Sequence, residues 1–379
     1  MPHARRLLPL LLLPISIIAT RPAATAASVP TRHAAAADTI PPDNFDVERI
    51  AEGVYAVIRR EPAGLWFDAN NVFIIDDEGV IVVDSNVSPT STREVLAALR
   101  RLTDRPVTHV INTHWHEDHI LGNAVYRDAF PNVEFVAHTT TPEDLVTVSA
   151  SNRRGALESG ASFAAQLREL VRTGRNLAGQ EMTDEERPSY LKDASLIERY
   201  LVDARDFQPV MPTITVDDRL TLRRRARAIE ILHLGAGHTR ADLMVHLPAE
   251  RIAITGDLVV WPVPLVGSTS FPGAFAATLQ RVLALRPAII VPGHGPVLRD
   301  DGYVRTVADL LTSIRDQTSA AAARGETLEQ ARASVILDPF RATIAGDSQL
   351  RRFIFYAYVA LPGVEAAYRE VSTAQSASR

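Results

Sequence analysis

The chain has 379 residues, enough for one large domain or two ordinary ones, and its 46% hydrophobic and 22% charged residues exclude a wholly disordered polymer. A formal net charge of −5 offers no basic surplus, which argues against a nucleic-acid partner, because phosphate contacts dominate that kind of binding. With no cysteine, disulfides, a lipid-modified cysteine and thiolate metal ligands are all excluded.

In chain order, Arg5 and Arg6 precede the apolar run Leu7 to Ile18, followed by Ala23-Ala24-Thr25-Ala26-Ala27. Basic, apolar, small is the order of a secretory signal, so residues 1–26 read as a signal peptide and the protein as periplasmic or secreted. An uncleaved anchor is the alternative. The run is shorter than the roughly 20 residues of a span and holds Pro9 and Pro14, so no stable membrane insertion is expected after cleavage. Residues 27–44, rich in Ala, Pro and Thr without a period, read as a disordered tether.

Val54 to Ile58 is the first expected strand. Asn71 to Ile75 and Val80 to Val83, joined by Asp76-Asp77-Glu78-Gly79, read as a hairpin. Residues 90–101 have helical spacing, and Val107 to Ile111 and Val133 to Ala137 read as strands. Residues 142–206 read as a charged helical insertion, expected to lie over the active-site face. Strands then resume at Ile214, Leu220, Ile229, Leu243 and Ile252, followed by a helix over 273–285 and a strand from Ala288 to Val291. Residues 301–323, 327–335 and 348–371 read as C-terminal helices, making 301–379 a helical extension of a catalytic domain at 45–300. Strands and helices, a helical insertion, then strands and helices again fit an α/β (α+β) fold of two sheets packed between helix layers.

The chemistry concentrates in His114-Trp115-His116-Glu117-Asp118-His119. His-x-His at the end of an apolar strand points both imidazoles to one side, because side chains alternate with period two. Asp118 and His119 follow in the loop and can face a second point nearby, so one short segment can serve two metal ions. An isolated histidine is usually structural; four potential ligands at this spacing reverse that weighting.

This His-x-His-x-Asp-His segment, with Asn112-Thr113 before it and Gly122-Asn123 after, resembles the signature of the metallo-β-lactamase superfamily. Gly235-Ala236-Gly237-His238-Thr239, Thr255-Gly256-Asp257 and Pro292-Gly293-His294-Gly295 resemble its later motifs, in the family's order. The resemblance implies an αββα sandwich. It implies one metal held by His114, His116 and His238, another by Asp118, His119 and His294, and Asp257 bridging them. It implies a pair of zinc ions, with iron or manganese as alternatives, and attack of a metal-bridging hydroxide on an ester, thioester, lactone or amide carbonyl of a small-molecule substrate. Asp118 and Asp257 would take part in that chemistry with the hydroxide.

Asp257 is the pattern of glyoxalase II-like hydrolases, whereas zinc β-lactamases of the family usually carry Cys or Ser there. A β-lactamase is therefore the alternative activity, and a non-catalytic periplasmic metal-binding or partner-binding module the alternative of another class. Asp84 matches a carboxylate behind the metal ligands, or it is a strand-terminal turn residue. Asp242 could orient a ligand, and Arg240 beside it is expected in solvent. Trp66, Phe67 and Trp261 could wall the substrate pocket or simply pack in the core. His109, His233 and His246 read as core or surface residues, His138 as core or a neighbour of the site, and Glu117 receives no catalytic role.

Overall fold

The computed structural model describes residues 44–377, so the expected signal peptide and all but the last residue of the tether lie outside the described residues. Seven strands form the first sheet: β1 (Phe45–Ala51), β2 (Val54–Arg59), β3 (Asn71–Asp76), β4 (Gly79–Val83), β5 (Val107–Ile111), β6 (Glu134–His138) and β7 (Ile214–Val216), in that spatial order. Five form the second: β8 (Arg219–Arg223), β9 (Ala228–Leu232), β10 (Met244–Leu247), β11 (Ile252–Val260) and β12 (Ile289–His294).

Strand periodicity sorts the apolar residues into layers. In β3 and β4, Val72, Ile74, Ile81 and Val83 face the second sheet, where they meet Ile231, Val245 and Ile254. Phe73, Val80 and Val82 face the other way, onto α1 (Pro89–Leu102) and α3 (Asn123–Ala129) through Val95, Leu99 and Tyr126. Helix α1 starts where Ser88 accepts from Ser91 N at 3.0 Å, with Pro89 at the first turn, where a missing N–H costs nothing. On the far side, Leu232, Met244, Ala253 and Ile290 of the second sheet pack on α7 (Pro272–Ala284) and α8 (Gly302–Ala323). The result is the αββα order expected from the sequence.

Between Thr141 and Asp203 lie α4 (Thr141–Asp144), a π-helical turn at Leu145–Ser149, α5 (Ala150–Thr173) and α6 (Glu186–Asp203). After α8 come α9 (Leu328–Ser334), α10 (Asp338–Ala345), α11 (Gln349–Phe355), a second π-helical turn at Tyr356–Ala360 and α12 (Leu361–Ala377). Three features depart from the sequence expectation. Strand β1 was not anticipated: it is an edge strand with only Phe45 buried and a bulge between Arg49 and Ala51, so its alternation is weak. The expected helix over 348–371 is two helices joined by the π turn, and α10 stands before them where no helix was expected. Strands β11 and β12 also run further than their apolar stretches, carrying Asp257 and His294 inside the sheet.

Strands β4 and β5 are parallel, as are β11 and β12. Their C-terminal ends, with the loop after β9, bring Asp84, the 112–119 segment, His238, Asp257 and His294 to one edge of the sandwich. The β11–β12 pairing is irregular between Ile254 and Val260, a local distortion that can re-aim the Asp257 side chain out of regular alternation.

Candidate metal centre

Two groups of potential ligands assemble at that edge. His114, His116, His238 and Asp257 form one, and Asp118, His119 and His294 the other; within each, the donor atoms lie within 4.8 Å of one another. All seven ligands expected from the sequence are thus brought together. Asp257 divides its carboxylate between the groups. Its Oδ1 stands 3.3 Å from His119 Nε2 and 3.4 Å from His294 Nε2, and its Oδ2 stands 3.4 Å from His238 Nε2 and 4.0 Å from His114 Nε2. Asp118 Oδ2 completes the second group at 3.1 Å from His294 Nε2 and 3.4 Å from His119 Nε2.

These groups fit metal ions on two counts. Donors about 2.0–2.1 Å from one tetrahedral ion sit about 3.3–3.4 Å from each other, close to most of these separations. In addition, His114 Nε2, His119 Nε2, His294 Nε2 and Asp257 Oδ1 are buried and lack any hydrogen-bond partner. Native interiors rarely strand buried polar atoms, and these, His114 in the first group and the others around the second, fit places for cations. His116 joins differently, its Nδ1 facing His238 Nε2 at 2.8 Å.

Hydrogen bonds behind the ligands select their tautomers. Asp84 accepts from Thr113 N at 2.7 Å, Thr113 Oγ1 at 2.8 Å and His119 Nδ1 at 2.8 Å. With its proton given to Asp84, the Thr113 hydroxyl can only accept from His114 Nδ1, at 3.1 Å. One carboxylate therefore fixes the Nδ1 sides of both His114 and His119 and directs each Nε2 toward the clusters. His238 Nδ1 faces the Leu265 carbonyl at 3.0 Å, and His294 Nδ1 that of Asp68 at 3.2 Å, with the same effect. Asp84 adopts a left-handed φ of 58°, which aspartate tolerates better than most residues. Asp242 accepts from Thr239 N and Thr239 Oγ1 and so shapes the turn that presents His238. Gly293 is required: a Cβ there would collide with Asp257 Oδ1 and approach Gly256 to 2.9 Å.

Electrostatically the protein groups separate. Burial, then His119 and His116, push His114 well below the ordinary histidine range, and burial, then His238, takes His116 down to about 3. Burial would also lower His119 and His294, but carboxylates outweigh it: Asp118, Asp257 and Asp84 hold His119 well up, and Asp257 and Asp118 raise His294 to about 10. Burial would raise Asp118 and Asp257, yet the neighbouring His119 and His294 hold both well below the usual carboxylate range. Asp242 lacks enough compensation, and burial lifts it to about 6.

The remaining candidates are placed less uniformly. Phe67 lies against His294, ring centroids 5.1 Å apart, and next to Tyr358 at 6.2 Å. Trp66 packs edge-on to Tyr200 at 5.2 Å. Trp261 is partly exposed, with Arg351 over its ring at 5.7 Å, and its main-chain N–H donates to the His294 carbonyl at 3.0 Å. Buried His138 packs on His233 at 4.2 Å and bonds Thr140. His246 pairs with Glu230, and His109 meets Thr108. Arg240 is not free in solvent: it is half-buried and bonded to Asp144 and Glu143 of α4. Glu117 points away from the ligands to Tyr200, Arg153 at 2.6 Å and Ser149 at 3.2 Å, so the insertion is anchored on the ligand loop itself.

Sequence reasoning missed Asp68, Asn70 and Asn71. Asn70 donates to the Pro292 and Gly295 carbonyls, framing His294, and Asn71 donates to the Asp84 and Ser85 carbonyls. The run Asp68-Ala69-Asn70-Asn71, three polar residues in four directly before the apolar Val72 to Ile75, was the available signal.

A two-sheet sandwich with helices outside and two adjacent His/Asp metal-binding clusters at one edge defines a class of metalloproteins. The sequence profile of the metallo-beta-lactamase superfamily matches residues 65–294, and the chain belongs to that family. Among curated relatives it is similar to a linear primary-alkylsulfatase from a Pseudomonas strain, with 25% identity over 280 residues, 70% of this chain and 49% of that protein. It is similar over a shorter stretch to an atrochrysone carboxyl ACP thioesterase from Claviceps purpurea, 25% identical over 153 residues, 36% of this chain and 49% of that one. The chain thus spans about half the length of these relatives. Among solved structures, a metallo-beta-lactamase from Pontibacter korlensis overlaps with a TM-score of 0.46 at 18% identity, covering 71% of this chain and 99% of that one.

Proposed function

We propose that the protein is a hydrolase with a dinuclear metal centre, using zinc, that cleaves a carbonyl-centred bond in an ester, thioester, lactone or amide. The carrying observation is the divided carboxylate of Asp257, one oxygen toward each ligand cluster. His114, His116 and His238 would hold one ion, Asp118, His119 and His294 the other, and Asp257 would join them. Such ions, when bound, bring the pKa of a water near neutrality and polarise a carbonyl.

The chain's own residues supply the rest. Asp257 offsets the repulsion between two cations. Asp84 orients His114 and His119 through their Nδ1 sides and turns each Nε2 toward the ion's place. Asp242 fixes the His238 turn. Phe67 lies against His294 with Tyr358 packed behind it, an aromatic flank that suits an apolar acyl group. Nitrogen and oxygen donors suit zinc and also iron or manganese, and zinc is preferred because the proposed hydrolysis requires no redox chemistry.

A second reading, hydrolysis of a sulfate ester, is favoured by the alkylsulfatase relative, whose alignment covers 70% of this chain. One panel separates the readings. The metal-loaded protein is offered an acyl lactone, a thioester, a chromogenic cephalosporin, a phosphodiester and a primary alkyl sulfate. Turnover of lactone or thioester, abolished by Asp257→Asn, supports the carbonyl reading, and turnover of the alkyl sulfate alone replaces it with the second. Cleavage of the cephalosporin alone selects the β-lactamase alternative. No turnover of any substrate, with metal bound, would return the protein to the non-catalytic class. The basic, apolar, small-residue leader supports export, which mass spectrometry of the protein recovered from a secreting host tests. Among the described residues no helix is long and apolar enough to cross a membrane.

A further inference from the structure

One face of α6, the last insertion helix, contacts the segments behind two sides of the Asp118, His119 and His294 group. On α6, Asp193 and Tyr200 lie seven positions apart, two turns at about 3.6 residues each, so their side chains leave the helix on the same side. Both are buried, at 0% and 3% exposure. Asp193 accepts from two consecutive main-chain groups, Leu65 N at 2.8 Å and Trp66 N at 3.1 Å. Lys192, also buried, pairs with Asp193 at 2.7 Å and donates to the Trp66 carbonyl. Opposite, Tyr358 donates to the Leu65 carbonyl at 2.6 Å, so this short segment is held from both sides.

The segment leads directly to His294. Asp68 carries the carbonyl facing His294 Nδ1, and Asn70 holds the carbonyls of Pro292 and Gly295 on either side of the Gly293-His294 pair. Tyr200 reaches the other side of this group, donating to Glu117, which sits between His116 and Asp118. The Trp66 and Tyr200 rings meet edge to face and join the two grips.

We propose that α6 is a brace fixing the Asp118-His119 loop relative to His294, with Asp193 and Tyr200 as positioning residues for that second metal site. This rests on reading the clusters as metal sites. A buried ion pair such as Lys192–Asp193 adds little net stability over an apolar pair of equal volume. Its role here is geometric: it turns a connecting loop into a rigid support for a ligand. The brace acts as one unit, because one helix carries both grips, Asp193 on the segment leading to His294 and Tyr200 on the Asp118-His119 loop.

The test compares metal binding by Asp193→Asn, Tyr200→Phe and the double variant in the full chain. Glu198→Gln, which removes an exposed pair with Arg168 elsewhere on the helix, is the control. Zinc affinity and stoichiometry are measured by competition with a chromophoric chelator, and the visible spectrum of the cobalt-substituted protein reports ligand geometry. Each single variant is expected to weaken the second equivalent of zinc by about 10–100-fold and alter the cobalt spectrum, with the first equivalent retained. The double variant is expected to lose less than the product of the two, and Glu198→Gln to match the unsubstituted protein. If both singles bind two equivalents at unchanged affinity with an unchanged spectrum, the brace is refuted, even should they melt at lower temperature. Should Asp193→Asn fail to fold, Tyr200→Phe, which removes one oxygen, decides the matter alone. An unsubstituted protein that takes up neither ion would overturn the metal-site reading together with the brace.

Discussion

At the scale of single residues, the site is governed by groups that touch no substrate. Asp84 receives three hydrogen bonds and thereby fixes two imidazoles at once. Asp84→Asn replaces one acceptor oxygen with a donor, so Thr113 or His119 must turn. Zinc affinity is expected to fall about 10–100-fold, as a chelator titration would show, with little change in the far-ultraviolet circular dichroism. His294 makes a prediction about pH. Burial lowers its proton affinity, but Asp257 and Asp118 outweigh that and raise it to about 10, so near neutral pH an incoming ion must displace a proton. Zinc affinity should therefore rise with pH between 6 and 8, by about tenfold per unit for each proton displaced, and isothermal titration in buffers of different ionisation enthalpy should register proton release. Affinity flat over that range would mean that His294 carries no proton to displace.

At the scale of elements, strands supply the ligands and helices supply the packing behind them. The helices after residue 300 share one core with α7 and the second sheet: Leu311 and Ile314 of α8, Phe355 of α11 and Val359 of the π turn lie with Phe275 and Leu279. Phe355 is 1% exposed, and Phe355→Ala is expected to cost about 3–5 kcal/mol in denaturant unfolding, far more than an exposed helical phenylalanine would. The elements most legible in the sequence were the β-branched runs Asn71 to Ile75 and Val80 to Val83, because both faces of β3 and β4 are covered. Strand β1 was not legible: most of its side chains face solvent, and only pairing with β2 makes it a strand. The π turn at Tyr356–Ala360 was equally hidden, since its residues read as an unbroken helix.

At the scale of the whole molecule, the ligands close a ring across the sandwich. Asp118, His114, His116 and His119 hang from the first sheet, and His238, Asp257 and His294 from the second, so ions held there would link the two sheets. Removing them with a chelator is expected to lower the unfolding temperature, because a ligand present at 1,000 times its dissociation constant contributes about 4 kcal/mol. Differential scanning calorimetry with and without chelator measures this, and refilling with zinc should restore the transition.

Hydrophobic period in the sequence was enough for the layered fold, and ligand spacing for His114, His116, Asp118 and His119; His238, Asp257, His294 and the division into two groups came from the resemblance to family motifs. Hydrophobic period and ligand spacing are local, and a His-x-His-x-Asp-His turn carries its geometry within a few bonds. It also indicated Asp84 and Asp242, each beside a recognisable motif. Only the tertiary structure decided what Glu117, Asp193 and Tyr200 do, and that Arg240 is paired and not free. Those contacts join residues 83 to 128 positions apart, and a buried tyrosine or an acid–base pair reads in sequence like any other helix residue until folding brings its partner to it.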